Sequence, residues 1–320
     1  MEENNEKQAQ LYEVRSYLSC LKQGMRLPTQ NILLLMKYLY PSFIAWGITA
    51  CLCGLFFNQL SVALVQWWNA TEPVVLNLPF FVLLGLGILI LLSASLNLGQ
   101  LMHLISRYGE SGVLPVVSVM KEGKSVFDMS IRALTWIVIG VLLSVAVIFV
   151  AFKGIGILNV WTWVVLSLFI LVFWVPYTMV GWDYMLGHSA SFFSSLRKFK
   201  EGYQFWVAFF ILLLCGGLVA GILTVISWLP TGVLAYSGYL SEMTIMQGDP
   251  TDLPAYIPGL VVVFFVVSFL LASLFQWLLV FPLSFLYGNL VTRKKEKEAF
   301  EEESKKLDEI PATVVGTFRK

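Results

Sequence analysis

Apolar side chains fall in long unbroken runs along this chain, and the charged ones gather in the short segments between them. A bilayer core of about 30 Å takes about 20 helical residues, each rising about 1.5 Å. Six runs meet that length, at 39–58, 79–104, 133–152, 157–181, 204–229 and 258–288. The pattern predicts an all-α integral membrane protein with six transmembrane helices, paired as three helical hairpins.

The polar joints give that scheme an orientation. Lys7, Arg15, Lys22, Arg26 and Lys37 precede the first run; Arg107, Lys121, Lys124 and Arg132 lie between the second and third; Arg197, Lys198 and Lys200 lie between the fourth and fifth. All the remaining basic residues but Lys153 follow the sixth run, so twenty of the 21 sort to one side. Basic loops stay in the cytoplasm, which predicts that both termini are cytoplasmic. The expected organisation is a cytoplasmic segment over 1–38, a transmembrane domain over 39–292 and a charged cytoplasmic tail over 293–320. The first residues are acidic and polar, unlike a cleavable signal peptide, so the first crossing is expected to act as its own targeting signal. The expected location is the plasma membrane, most simply a bacterial inner membrane.

Composition strengthens the same reading. With 58% hydrophobic and 13% charged residues, a soluble fold of this size would have too few polar side chains to cover its surface. The lipid bilayer is therefore the expected partner, and no nucleic-acid partner is expected. Cys20, Cys51, Cys53 and Cys215 suggest no disulfide framework. Cys51 and Cys53 would sit about 200° apart around a helix and could not jointly hold a metal. All four read as small apolar fillers, with no metal site and no cofactor implied.

A faint internal repeat runs through the basic segments. Lys22-Gln23-Gly24, Lys121-Glu122-Gly123 and Lys200-Glu201-Gly202 each precede a predicted hairpin. Pro176-Tyr177-Thr178 in the fourth run matches Pro282-Leu283-Ser284 in the sixth. Proline inside such a helix is expected to kink it and to free a carbonyl that its surroundings must satisfy. In the fifth run Gly217 and Gly221 are spaced to share one face, where a neighbouring backbone could approach closely.

The segment that holds Pro176, Asp183, Ser195, Leu196, Lys200, Gly202, Phe205 and Trp206 resembles the multi-pass membrane domain attached to some bacterial glycerophosphodiester phosphodiesterases and also found alone. The likeness covers residues 176–214, and Glu201 interrupts its Lys-Gly pair. It implies a helical membrane domain. The catalytic barrel of that family has no counterpart here, so phosphodiesterase activity is not implied.

Candidate chemistry lies at the cytoplasmic ends of the even-numbered runs. Asn97, Gln100, His103 and Arg107 fall within about 120° of one helical wheel. The fourth run leads to Asp183 and His188, and the sixth carries Gln276 and leads to Tyr287, Asn289 and Thr292. If the even helices meet, Asn97, Gln100, His103, Asp183, His188 and Asn289 would line a shallow cytoplasm-facing vestibule, with His103 near enough to Asp183 to form a pH-sensitive pair. The plainer alternative is that helix ends at a membrane surface are simply polar. No charged residue occupies the middle third of any run, whereas ion-coupled carriers usually keep one at a cost of about 2.5–3.5 kcal/mol. A full GxxxxGKS or GxxxxGKT phosphate-binding loop, an HExxH pair and a GxSxG elbow are all missing from the sequence, since Gly123-Lys124-Ser125 has Ser118 where the loop needs its first glycine. The expectation is a non-catalytic accessory or envelope-organising membrane protein. The alternative is a transporter, or a protein that handles lipid or small solutes through the vestibule. Intramembrane hydrolysis by Asp183 and His188 is a weaker third.

Overall fold

A computed structural model of the chain describes residues 11–69, 78–114, 122–155, 160–187, 191–206 and 256–308, with isolated positions between 225 and 254. The elements are α1 (Tyr17–Gln30), α2 (Ile32–Asn69), α3 (Leu78–Ser111), α4 (Gly123–Ile155), α5 (Val160–Phe169), a π turn (Ile170–Trp174), α6 (Val175–Leu186), α7 (Phe192–Leu196), a 3-10 segment (Arg197–Gln204) and α8 (Ile257–Asp308). The described residues contain no strand.

Among the described residues, four helices are long and apolar enough to cross a membrane: Ile32–Phe57, Phe81–Ser111, Gly123–Phe152 and Ile257–Lys305. They contain the first, second, third and sixth apolar runs. The fourth run is helical from Val160 to Leu186, but the π turn divides it into pieces too short to span by themselves. Most of the fifth run, with Gly217 and Gly221, lies outside the described residues.

The spanning helices carry their polarity inward. Ile44, Ile48 and Leu55 on α2, Phe81, Leu84, Ile88 and Leu92 on α3, and Leu142, Val145 and Phe149 on α4 are all exposed. Their spacings of three, four and seven residues draw one apolar stripe along each helix. The opposite faces bury Ser42, Thr49, Ser93 and Asn97 beside Leu35, Leu39 and Leu86. Water would penalise that outer surface, whereas hydrocarbon suits it.

The centre of the packing is α8. Every residue from Val280 to Leu290 is buried, the polar Ser284 and Asn289 included. Around it stand α1, α2, α3 and α6. No break separates its apolar part from the charged residues that follow: the helix continues to Asp308. At the other end of the chain, the polar segment over 1–38 contains a packed helix of its own. Ser16 caps α1 by accepting a hydrogen bond from the Ser19 amide at 3.3 Å. Cys20, Leu21, Gly24 and Pro28 then lie buried on one face of it.

The two matched prolines differ in their local surroundings. Pro176 cannot serve the carbonyl four residues before it, and the chain widens into the π turn immediately ahead of it. Pro282 stays inside the continuous α8.

Cys20 is only 1% exposed, as a filler should be. Burial pushes its thiol up, outweighing the opposite pull of Arg15 and Arg293. In a protein that retains Cys20 alone, a membrane-permeant maleimide at pH 7 should react slowly until denaturant is added, because the thiolate is the reactive form. Fast labelling of the native protein would contradict this placement.

Candidate functional site

The first polar cluster is built on α6. Asp183 follows Pro176 by seven residues and is completely buried. Its Oδ1 lies 2.5 Å from Lys198 Nζ of the 3-10 segment and accepts a hydrogen bond at 3.1 Å from the Tyr287 hydroxyl of α8. One residue earlier, Trp182 Nε1 donates to Ser284 Oγ at 2.9 Å, a second tie between α6 and α8. A carboxylate away from water needs both a cation and a donor, and here two different elements provide them. Lys198 itself is 38% exposed, so the pair links the protein interior to a solvated surface.

The second cluster joins α2, α3 and α8. Tyr38 and His103 Nδ1 are 2.7 Å apart, and His103 Nε2 is 3.4 Å from Glu122 Oε2. Arg107 holds the other Glu122 oxygen at 2.8 Å. If Tyr38 donates, the imidazole proton sits on Nε2, facing Glu122. Farther along α3, Asn97 Nδ2 donates to Gln276 Oε1 at 2.7 Å, and the Ser42 hydroxyl lies 3.1 Å from Asn97 Oδ1. Thr49 and Ser93 meet at 2.7 Å beyond them. Gln100 is buried on the same stripe, and its Oε1 has no hydrogen-bond partner among the described residues.

The third cluster fastens the start of the chain to α8. Asn289 Oδ1 accepts from the Arg15 amide at 3.0 Å, while Arg293 donates to the Arg15 carbonyl at 2.7 Å and lies over the Tyr17 ring at 5.3 Å. Asn289 stands seven residues after Pro282, as Asp183 stands after Pro176. The two matched positions thus both receive a donor from the segment that precedes a hairpin.

The predicted site residues therefore divide among separate sets. Asn97 and His103 bond with residues on helices other than α6, Asp183 bonds with Lys198 and Tyr287, and Asn289 bonds with Arg15. His103 and Asp183 take different partners, and both are buried rather than turned to bulk cytoplasm. His188 lies outside the described residues. Sequence reasoning missed Tyr38 and Ser42, although their i, i+4 spacing on α2 was a usable signal. It also missed the pairing of Lys198 with Asp183, because a lysine in a basic turn reads as an ordinary positive-inside residue.

Between α1, α6, the 3-10 segment and α8 lies an open cavity of about 780 Å³. Its wall includes the apolar or aromatic Tyr17, Met179, Leu290 and Val291 and, among the charged side chains, Lys198, Arg293, Lys294, Lys295 and Lys297. No family model matches the chain, and neither the curated proteins nor the solved structures contain a match to it.

Proposed function

We propose that this chain is a six-crossing protein of the plasma membrane, with both termini in the cytoplasm, that serves as a non-catalytic accessory or organiser of the envelope. The observation that carries this reading is the use made of its polar side chains. Asp183, His103, Asn97 and Asn289 are each bonded to a partner on another element, which is how residues that fix helices in place are used. The likeness of residues 176–214 to a membrane domain that also occurs without its catalytic barrel supports the same assignment. Topology rests on the basic residues: a reporter active only outside the cytoplasm should give signal when fused after Ala70 and none after Lys320. The opposite pattern would invert the scheme.

The role itself is tested by complementation. In a strain lacking the protein, His103→Gln should restore envelope integrity as well as the wild type does, at equal abundance, because a scaffold needs the side chain's contacts rather than its proton. Loss of function at normal abundance would favour the second reading, handling of lipid or a small solute. A specific observation speaks for that reading as well, namely the amphipathic cavity beside α8.

A further inference from the structure

We infer that the cavity beside α8 binds the phosphate-bearing headgroup of an anionic phospholipid. The inference deepens the second reading above by naming the ligand's chemistry. On α8 the wall runs from Leu290 to Glu301, twelve residues, or about 16 Å of helix from first to last. That stretch crosses the boundary at which the helix changes from apolar to charged. Along α8 the lining passes from the apolar Leu290 and Val291 to the charged residues from Arg293 onward, the polarity order of a phospholipid, with Met179 adding apolar surface from α6.

The charge balance favours an anion. Five cations line the cavity against three carboxylates, Glu201, Glu298 and Glu301. Several of these cations have partners that a headgroup can replace cheaply. Lys294 meets Glu201 at 2.7 Å and Lys297 meets Glu301 at 3.7 Å, and all four side chains are at least a third exposed. Such pairs are worth about 0–1 kcal/mol. Asp183 already neutralises Lys198 at the inner edge, whereas Arg293 is held in place by its bond to an uncharged group, the Arg15 carbonyl, and keeps its charge for a phosphate. Cations near a membrane surface also attract anionic lipid without any cavity. What the cavity adds is a site on one named face, where exchanging particular side chains has a particular effect.

The test uses full-length protein in neutral detergent, with thermal unfolding followed during titration by phosphatidylglycerol, phosphatidylcholine or inorganic phosphate. Phosphatidylglycerol should raise the melting temperature by several degrees, while the other two should leave it unchanged at equal concentration. The double variant Lys295→Glu, Lys297→Glu alters exposed side chains and should melt normally without lipid. It should need at least about tenfold more phosphatidylglycerol for the same rise. If that variant unfolds, Lys295→Gln with Lys297→Gln replaces it, with a smaller expected shift in the same direction. An equal response to phosphatidylcholine, or an unchanged response in both double variants, would overturn the proposal. Phosphate acting as well as phosphatidylglycerol would overturn it in favour of a free-anion site. The reporter fusions do not depend on this titration, so failure here leaves the topology and accessory role standing.

Discussion

Gly24→Ala and Gly202→Ala should each lower the melting temperature of the purified protein sharply, whereas Gly85→Ala and Gly123→Ala should leave it nearly unchanged. A Cβ at Gly24 would overlap the backbone of Pro282, and one at Gly202 would come to 2.5 Å from Pro176 Cα and 2.6 Å from its carbonyl oxygen. Backbone atoms cannot rotate away as a side chain does, so the elements must separate. Overpacking of a tight contact costs about 1–3 kcal/mol, and these two sites belong at the upper end. A Cβ at Gly85 or Gly123 would meet nothing within 4 Å. The comparison also bears on the internal repeat. In two of the three Lys-x-Gly triplets the glycine seats its segment against the proline of an even-numbered run. In the third this contact is absent, and α3 instead approaches α4 through Gly99, whose added Cβ would overlap Ser130. Equal melting temperatures for all four variants would mean that the glycine and proline contacts do not hold the segments.

Lys198→Met should destabilise the protein more than Asp183→Asn, although the two changes remove the same ion pair. The reason is where each charge is left. Asp183 is completely buried, so Lys198→Met deprives an ionised carboxylate in the interior of its ammonium, a loss of about 3 kcal/mol. Asp183→Asn leaves behind a lysine whose side chain is already 38% exposed and can turn to water, and the amide oxygen can still accept from Tyr287. About 1–2 kcal/mol is expected there, mainly from the weaker hydrogen bonds. Equal losses for the two variants would mean that Asp183 is not held as a buried anion.

Much of this molecule is written locally. Apolar runs of spanning length, separated by charge, dictate helices with lipid-compatible faces wherever they occur, and α2, α3, α4 and α8 contain four of the predicted runs. Pro176 announced a local irregularity, and the π turn before it is that irregularity. Each of these depends on residues within a few turns of one another, so periodicity is enough to reveal it. The partners were decided elsewhere. Tyr287 reaches Asp183 across 104 residues, Tyr38 reaches His103 across 65, and Asn97 reaches Gln276 across 179. Which side chains meet depends on how far each helix is rotated and where along their lengths two helices cross. A rotation of one residue, about 100°, would send Asp183 away from Tyr287 without altering the hydrophobic pattern that a sequence displays. The same geometry made Gly24 and Gly202 close contacts and left Gly123 open, although all three stand in the same sequence motif. The sequence by itself determined that the helices form and which faces suit lipid. Only the tertiary structure decided which polar groups meet, because that choice is made by contacts between helices distant along the chain.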